Sequence, residues 1–174
     1  MRYFFKLSII FSLMVHTFVM SSELKNDLGD LKNYQINSDR MVSAGQPNKK
    51  HFRLLKESGV RHVVDLIPGD RSQEQQLMQS LNLNYQNIPV DWHNPSLDDF
   101  DTYVAFMNSS MSQDGKVLTH CKLNWRGAVF TYLYRVIELG DSEESAKKDM
   151  LAIWKPEGVW VSFIEEVIEK RMAR

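Results

Sequence analysis

A chain of 174 residues with 43% hydrophobic and 11% aromatic side chains carries enough apolar material for one domain with a sizeable core, which excludes a disordered segment. A formal net charge of −1 supplies no basic field for nucleic acid or for an anionic membrane surface. A single cysteine excludes an internal disulfide framework and argues against a structural zinc site, and neither a metal nor another cofactor is expected.

Taken in chain order, Arg2 and Lys6 form a short basic head, residues 7–20 are an almost unbroken apolar run, and Ser21 and Ser22 are small. This pattern predicts a secretory signal peptide over residues 1–21, leaving residues 22–174 as one domain, exported to the bacterial periplasm. The run of about fourteen residues is shorter than the ~20 that span a bilayer, so no stable membrane insertion is expected after cleavage, with an uncleaved N-terminal anchor as the lesser alternative. Leu24, Leu28 and Leu31 have helical spacing, which predicts a short helix over 22–33.

Two alternating pieces, 34–36 and 40–44, read as strands closed by the turn Gly45-Gln46-Pro47. A helix is expected from Asn48, burying Phe52, Leu54 and Leu55 and stopping at Gly59. Residues 60–67 are a β-branched run of the kind buried on both faces of a parallel sheet. Ser72 with Gln75 predicts a capping box for the next helix, which carries Leu77, Met78 and Leu81. A strand over 84–89 then delivers the loop Val90-Asp91-Trp92-His93-Asn94-Pro95. Ser96 with Asp99 predicts a second capping box, and Phe100, Val104, Met107 and Met111 repeat at 3.6-residue spacing behind it. Helices over 142–154 and 156–172 close the chain, with Pro156 suited to a first helical turn. Alternating strands and helices predict an α/β, three-layer fold: a central, mostly parallel sheet of four to five strands flanked by helices, with ligands beyond the carboxyl ends of the strands.

Residues 117–127, Val-Leu-Thr-His-Cys-Lys-Leu-Asn-Trp-Arg-Gly, join a strand to a helix that runs to about Leu139. The only thiol, Cys121, and a guanidinium, Arg126, therefore share one strand-to-helix junction. Amides at such a junction attract anions, and the positive end of the helix favours a thiolate over a thiol. The expectation is a nucleophilic cysteine beside an oxyanion site. His51 and His62 lack metal-ligand spacing and read as structural, and His93 reads as a solvated loop residue. Trp92, next to Asp91, is placed to wall a cleft.

The succession Gly45-Gln46-Pro47, residues 59–66, Ile88-Pro89-Val90-Asp91 and Val117-Leu118-Thr119-His120-Cys121 resembles the cysteine-dependent dual-specificity and tyrosine phosphatases, especially a bacterial branch often called phosphatase-like. The resemblance covers about residues 40–139. It implies that Cys121 attacks phosphorus and carries a phosphocysteine, and that main-chain amides of Lys122, Leu123, Asn124, Trp125 and Arg126 cradle the phosphoryl oxygens. It further implies that Arg126 binds two of those oxygens as a fork, that His120 orients the loop, and that Asp91 protonates the leaving oxygen. The implied partner is a phosphorylated small molecule or protein, with no metal required.

The sequence departs from that family in one measurable way. The phosphatase signature has five residues between cysteine and arginine, whereas Lys122, Leu123, Asn124 and Trp125 make four. Gly127 stands where those enzymes carry a Ser or Thr. A shorter ring offers one amide fewer to the anion, so two other readings stand beside phosphatase chemistry. One is a non-catalytic module that binds an anion or a phosphoprotein. The other is sulfur transfer, because rhodanese-type loops share the four-residue spacing.

Overall fold

A computed structural model describes residues 28–172, so the expected signal peptide lies outside the described residues. The chain divides into two units, Met1–Asp30 and Leu31–Arg174, and every strand and helix described belongs to the second. Most of the helix expected over 22–33 is also outside the described residues, and 28–33 are turns and bends.

Five strands form one sheet in the order β1-β2-β5-β3-β4: β1 (Gln35–Ile36), β2 (Met41–Ala44), β3 (Val60–Asp65), β4 (Asn84–Asn87) and β5 (Lys116–His120). Only the β1–β2 pair is antiparallel, as a mostly parallel sheet requires. The helices are α1 (Lys49–Glu57), α2 (Ser72–Ser80), α3 (Leu97–Met111), α4 (Trp125–Ile137), α5 (Glu143–Ile153) and α6 (Val159–Met172). The β2–α1–β3 and β3–α2–β4 crossovers step across the sheet in one direction, and β4–α3–β5 steps back. Right-handed crossovers therefore put α1 and α2 on one face and α3 on the other. That reversal makes the carboxyl end of β5 the point where a crevice opens.

The larger core lies on the α3 side, where Val64, Leu66, Phe100, Tyr103, Met107, Phe130, Leu133 and Phe163 pack together. Local chemistry starts these helices as expected at two places. Asn48 and His51 exchange a capping box for α1, and Ser96 and Asp99 do so for α3. At two places it does not. Ser72 is already inside α2, whose cap residue Arg71 makes no side-chain cap bond, and the Ser72 amide donates instead to Asp70 Oδ1 at 2.9 Å. Pro156 precedes α6 rather than opening it, because the left-handed Gly158 (φ 54°) intervenes.

Burial raises the phenol pKa of Tyr34, Tyr85, Tyr103 and Tyr134, and burial with the neighbouring Glu143 pushes Tyr132 up to about 12. A phenol raised above its unfolded value of about 10 stabilises the fold fully below that pH and loses the contribution as pH climbs through the folded value. Phenolate absorbance is therefore expected to appear together with loss of structure, well above pH 10. A gradual rise centred at pH 10 in a chain that keeps its near-ultraviolet dichroism would contradict this packing.

Candidate active site

Strand β5 ends at His120, and its register carries Cys121 to the sheet edge between β2 and β3. The four-residue loop is held from outside. Gln46 N–H donates to the Lys122 carbonyl (3.2 Å), Asn33 Nδ2 donates to the Leu123 carbonyl (2.8 Å), and Leu123 bridges to Gly45. The first amides of α4, at Trp125, Arg126 and Gly127, have no intrahelical acceptor, and Asn124 supplies no side-chain cap. The junction thus offers a set of free donors and the positive end of a helix of 13 residues.

Asn124 makes the short loop possible. It adopts the left-handed conformation (φ 63°), is fully buried, and donates its amide to the Asn33 carbonyl (2.8 Å) and Ser43 Oγ (2.9 Å). Its Oδ1 lies 2.3 Å from where a Cβ on Gly127 would fall. The hydroxyl residue of the phosphatase signature is therefore sterically shut out. Gly127→Ser is expected to lower Tm by about 5 °C, from about 1–3 kcal/mol of overpacking, and to weaken the site rather than repair it. Thermal unfolding with parallel activity assays checks this, and a serine variant of undiminished Tm would refute the contact.

A cavity of about 210 Å³ is lined by Trp92, Cys121, Lys122, Leu123, Trp125 and Arg126. Cys121 is buried at its floor (1% exposed), and Lys122 and Leu123 form its exposed rim. Arg126 is 8% exposed, its Nε has no hydrogen-bond partner, and it makes no ion pair among the described residues. Its guanidinium carbon sits 5.4 Å over the Trp92 ring. All four tryptophans of the chain meet here. Trp125 stacks on Trp154 (5.1 Å, 10°), Trp154 Nε1 donates to the Trp125 carbonyl, and Trp160 Nε1 donates to the Trp92 carbonyl.

Of the residues singled out in the sequence, Cys121, Lys122, Leu123, Trp125 and Arg126 share the cavity. Asn124 and Gly127 support it from behind. Asp91 does not line it: the side chain is exposed and accepts the His93 amide at 2.8 Å, closing an Asx turn. His93 is exposed, and His51 and His62 are structural, His51 in the α1 cap and His62 with Nε2 3.0 Å from the Asp114 carbonyl.

Sequence reasoning missed the charged cluster behind the loop. His120 is fully buried, with Nε2 2.9 Å from Glu74 Oε1 and Nδ1 3.8 Å from Asp65 Oδ1. Arg71 donates to Asp65 Oδ2 and to Glu74 Oε2, each at 2.5 Å. Burial raises the Asp65 pKa; at Glu74 burial pushes the same way, but His120 and Arg71 outweigh it and the carboxyl titrates below its ordinary value. Asp65, Glu74 and His120 bring ligand atoms within 4.8 Å of one another, a spacing a cation could use. The Arg71 guanidinium already lies against both carboxylates, so a metal would have to displace an ion pair of good geometry.

Residues 39–134, more than half of the chain, match the family described as polymorphic toxin system, DSP-PTPase phosphatase. A beta-lactamase hydrolase-like protein of Xylella fastidiosa is 28% identical over 108 residues, 58% of this chain and 24% of that protein. The chain thus spans about a quarter of the length of the curated relatives it matches. Among solved structures, a DUF442 protein from Shewanella putrefaciens CN-32 superposes with a TM-score of 0.72 at 28% identity, covering 84% of this chain and 98% of that one. The TpbA protein of P. aeruginosa, solved with pTyr, shares the fold at a TM-score of 0.64 and 19% identity, covering 81% and 89%.

Proposed function

This chain belongs to the DSP-PTPase phosphatases, and from that membership we propose that it hydrolyses phosphomonoesters with Cys121 as nucleophile and Arg126 as the oxyanion fork. The observation that carries the reading is Arg126: a buried cation with no carboxylate partner among the described residues, facing a cavity floored by the only thiol. An unpaired buried charge is costly, and a bound dianion removes the cost.

In the proposed reaction the Cys121 thiolate attacks phosphorus, an S–P bond forms, and the P–O bond to the leaving alcohol breaks with its electrons on oxygen. That oxygen takes a proton. Water then attacks the phosphocysteine, releasing phosphate and returning the thiolate. Loop amides and Arg126 hold the three equatorial oxygens through both steps. Asp91 is the assigned proton donor by family resemblance, which requires the 90–96 loop to turn the carboxylate inward from its Asx turn. An aryl phosphate is the fitting probe, because Trp92 and Trp125 give the cavity aromatic walls. The basic head and apolar run of residues 2–20 support placing the activity in an exported, periplasmic protein, which N-terminal sequencing of the mature chain would test.

The deciding experiment is phosphate release from p-nitrophenyl phosphate in EDTA between pH 5 and 8. Release is expected. None at any pH would transfer the site to a phosphate-binding module without turnover, and thiosulfate-to-cyanide transfer through a Cys121 persulfide would establish sulfur chemistry instead.

A further inference from the structure

The buried cluster beside the loop contains two carboxylates, one guanidinium and the imidazole of His120, the residue that precedes Cys121. Asp65 is saturated: Oδ2 accepts from Arg71 Nε (2.5 Å) and Tyr85 Oη (3.0 Å), and Oδ1 accepts from the Ile67 amide (2.9 Å). Glu74 Oε2 is taken by Arg71 (2.5 Å), which leaves Oε1 facing His120 Nε2 at 2.9 Å. Two carboxylates share one guanidinium, and the Glu74 oxygen that Arg71 leaves over is the one set against the imidazole. The groups that face the ring are Glu74 and Arg71 from α2, Asp65 from β3 with Tyr85 of β4 behind it, and the Phe52 ring of α1, edge-on at 5.7 Å.

We propose that Glu74 is a positioning residue for the nucleophile: its Oε1 accepts from His120 Nε2 and fixes the ring, so that the start of the loop is held in the conformation that favours the Cys121 thiolate. The inference rests on the reading of Cys121 as nucleophile and adds a residue that touches neither substrate nor sulfur. His120 directly precedes the sulfur-bearing residue and Glu74 is the side chain that holds its ring, so removing the carboxylate releases the imidazole on which the loop start rests. Glu74 also borders a second cavity of about 500 Å³, shared with Gln46, Phe52, Arg71 and Leu77, so a substituted side chain there meets open space rather than packed core.

Cys121 is the only thiol, so one label per chain reports on it. The test follows iodoacetamide labelling of the full chain from pH 4.5 to 9, beside turnover of p-nitrophenyl phosphate. Glu74→Gln keeps shape and the contact with Arg71 but removes the charge. It is expected to move the labelling midpoint up by about one pH unit, and to lower kcat about tenfold with KM within about twofold. A merely structural role would lower the stability of the variant without moving the midpoint. Should Glu74→Gln fail to fold, Glu74→Asp carries the test: it keeps the ion pair with Arg71 while drawing back from Nε2, and about half the shift is expected. An unchanged midpoint and kcat in whichever variant folds would overturn the assignment of Glu74. Wild-type labelling confined to above pH 8 would instead remove the nucleophile reading itself.

Discussion

Cys121→Ser is expected to reduce phosphate release by about 10⁴-fold or more while leaving the affinity for a phosphate-containing ligand within about threefold. The two halves of this prediction have separate physical sources. Turnover needs an anion at residue 121 at neutral pH, and a serine hydroxyl does not ionise there even at a helix N-terminus. Binding needs the amide set and the Arg126 guanidinium, and neither depends on sulfur. The loop is tied from outside through the Lys122 and Leu123 carbonyls, and Asn124 is anchored on Asn33 and Ser43. Exchanging one atom for a smaller one at the cavity floor leaves all of those ties in place. Turnover measured with p-nitrophenyl phosphate and binding measured by calorimetry with vanadate or phosphate separate the two quantities. A serine variant that turns over normally would show that residue 121 is not the nucleophile, and one that loses both properties would mean that the loop itself had collapsed.

How much of this was legible in the sequence depended on distance along the chain. The strand, loop and helix of 116–137 were legible because a continuous apolar run, a lone Cys and an amphipathic helix adjoin there, and contiguity brought five of the site residues into one cavity. The sheet followed from alternating strands and helices. The capping box at Ser72 failed for a reason that is not local: Arg71 is engaged by Asp65 and Glu74, and the helix begins one residue earlier than its best capping residue suggests. Asp65 lies unmarked inside the β-branched run 60–67, and nothing in its neighbourhood announces His120, 55 positions on but in register across β3 and β5. The indole cluster was hidden in the same way. Trp160 donates to the Trp92 carbonyl across 68 positions, from a helix beyond the stretch that matches the family. Trp92 was marked only because it follows Asp91, and its ring faces Arg126 while Asp91 itself turns outward.

Arg126→Met is expected to abolish useful activity and to make the protein more stable, and the combination is more informative than either result alone. In the unliganded chain the guanidinium is nearly buried, its Nε lacks a hydrogen-bond partner, and its evident compensation is the Trp92 face at 5.4 Å. A cation–π contact contributes on the order of 1–2 kcal/mol, whereas leaving a buried charge without an anion costs several. A methionine of similar reach packs against the same indole without that cost, so a gain of about 1 kcal/mol, or about 3 °C in Tm, is expected. Activity moves the other way. The fork that grips two equatorial oxygens in the transition state is gone, and the loss in kcat/KM is about 10³-fold. Arg126→Lys refines the point: charge returns but the planar fork does not, so about a hundredfold loss should remain, and Tm should stay near the wild-type value. An arginine placed there for packing would behave in reverse, with Arg126→Met destabilising and Arg126→Lys close to neutral in activity. Gain of stability with loss of turnover would mark Arg126 as a residue kept for its ligand, because only a bound oxyanion restores the balance that the folded chain alone leaves open.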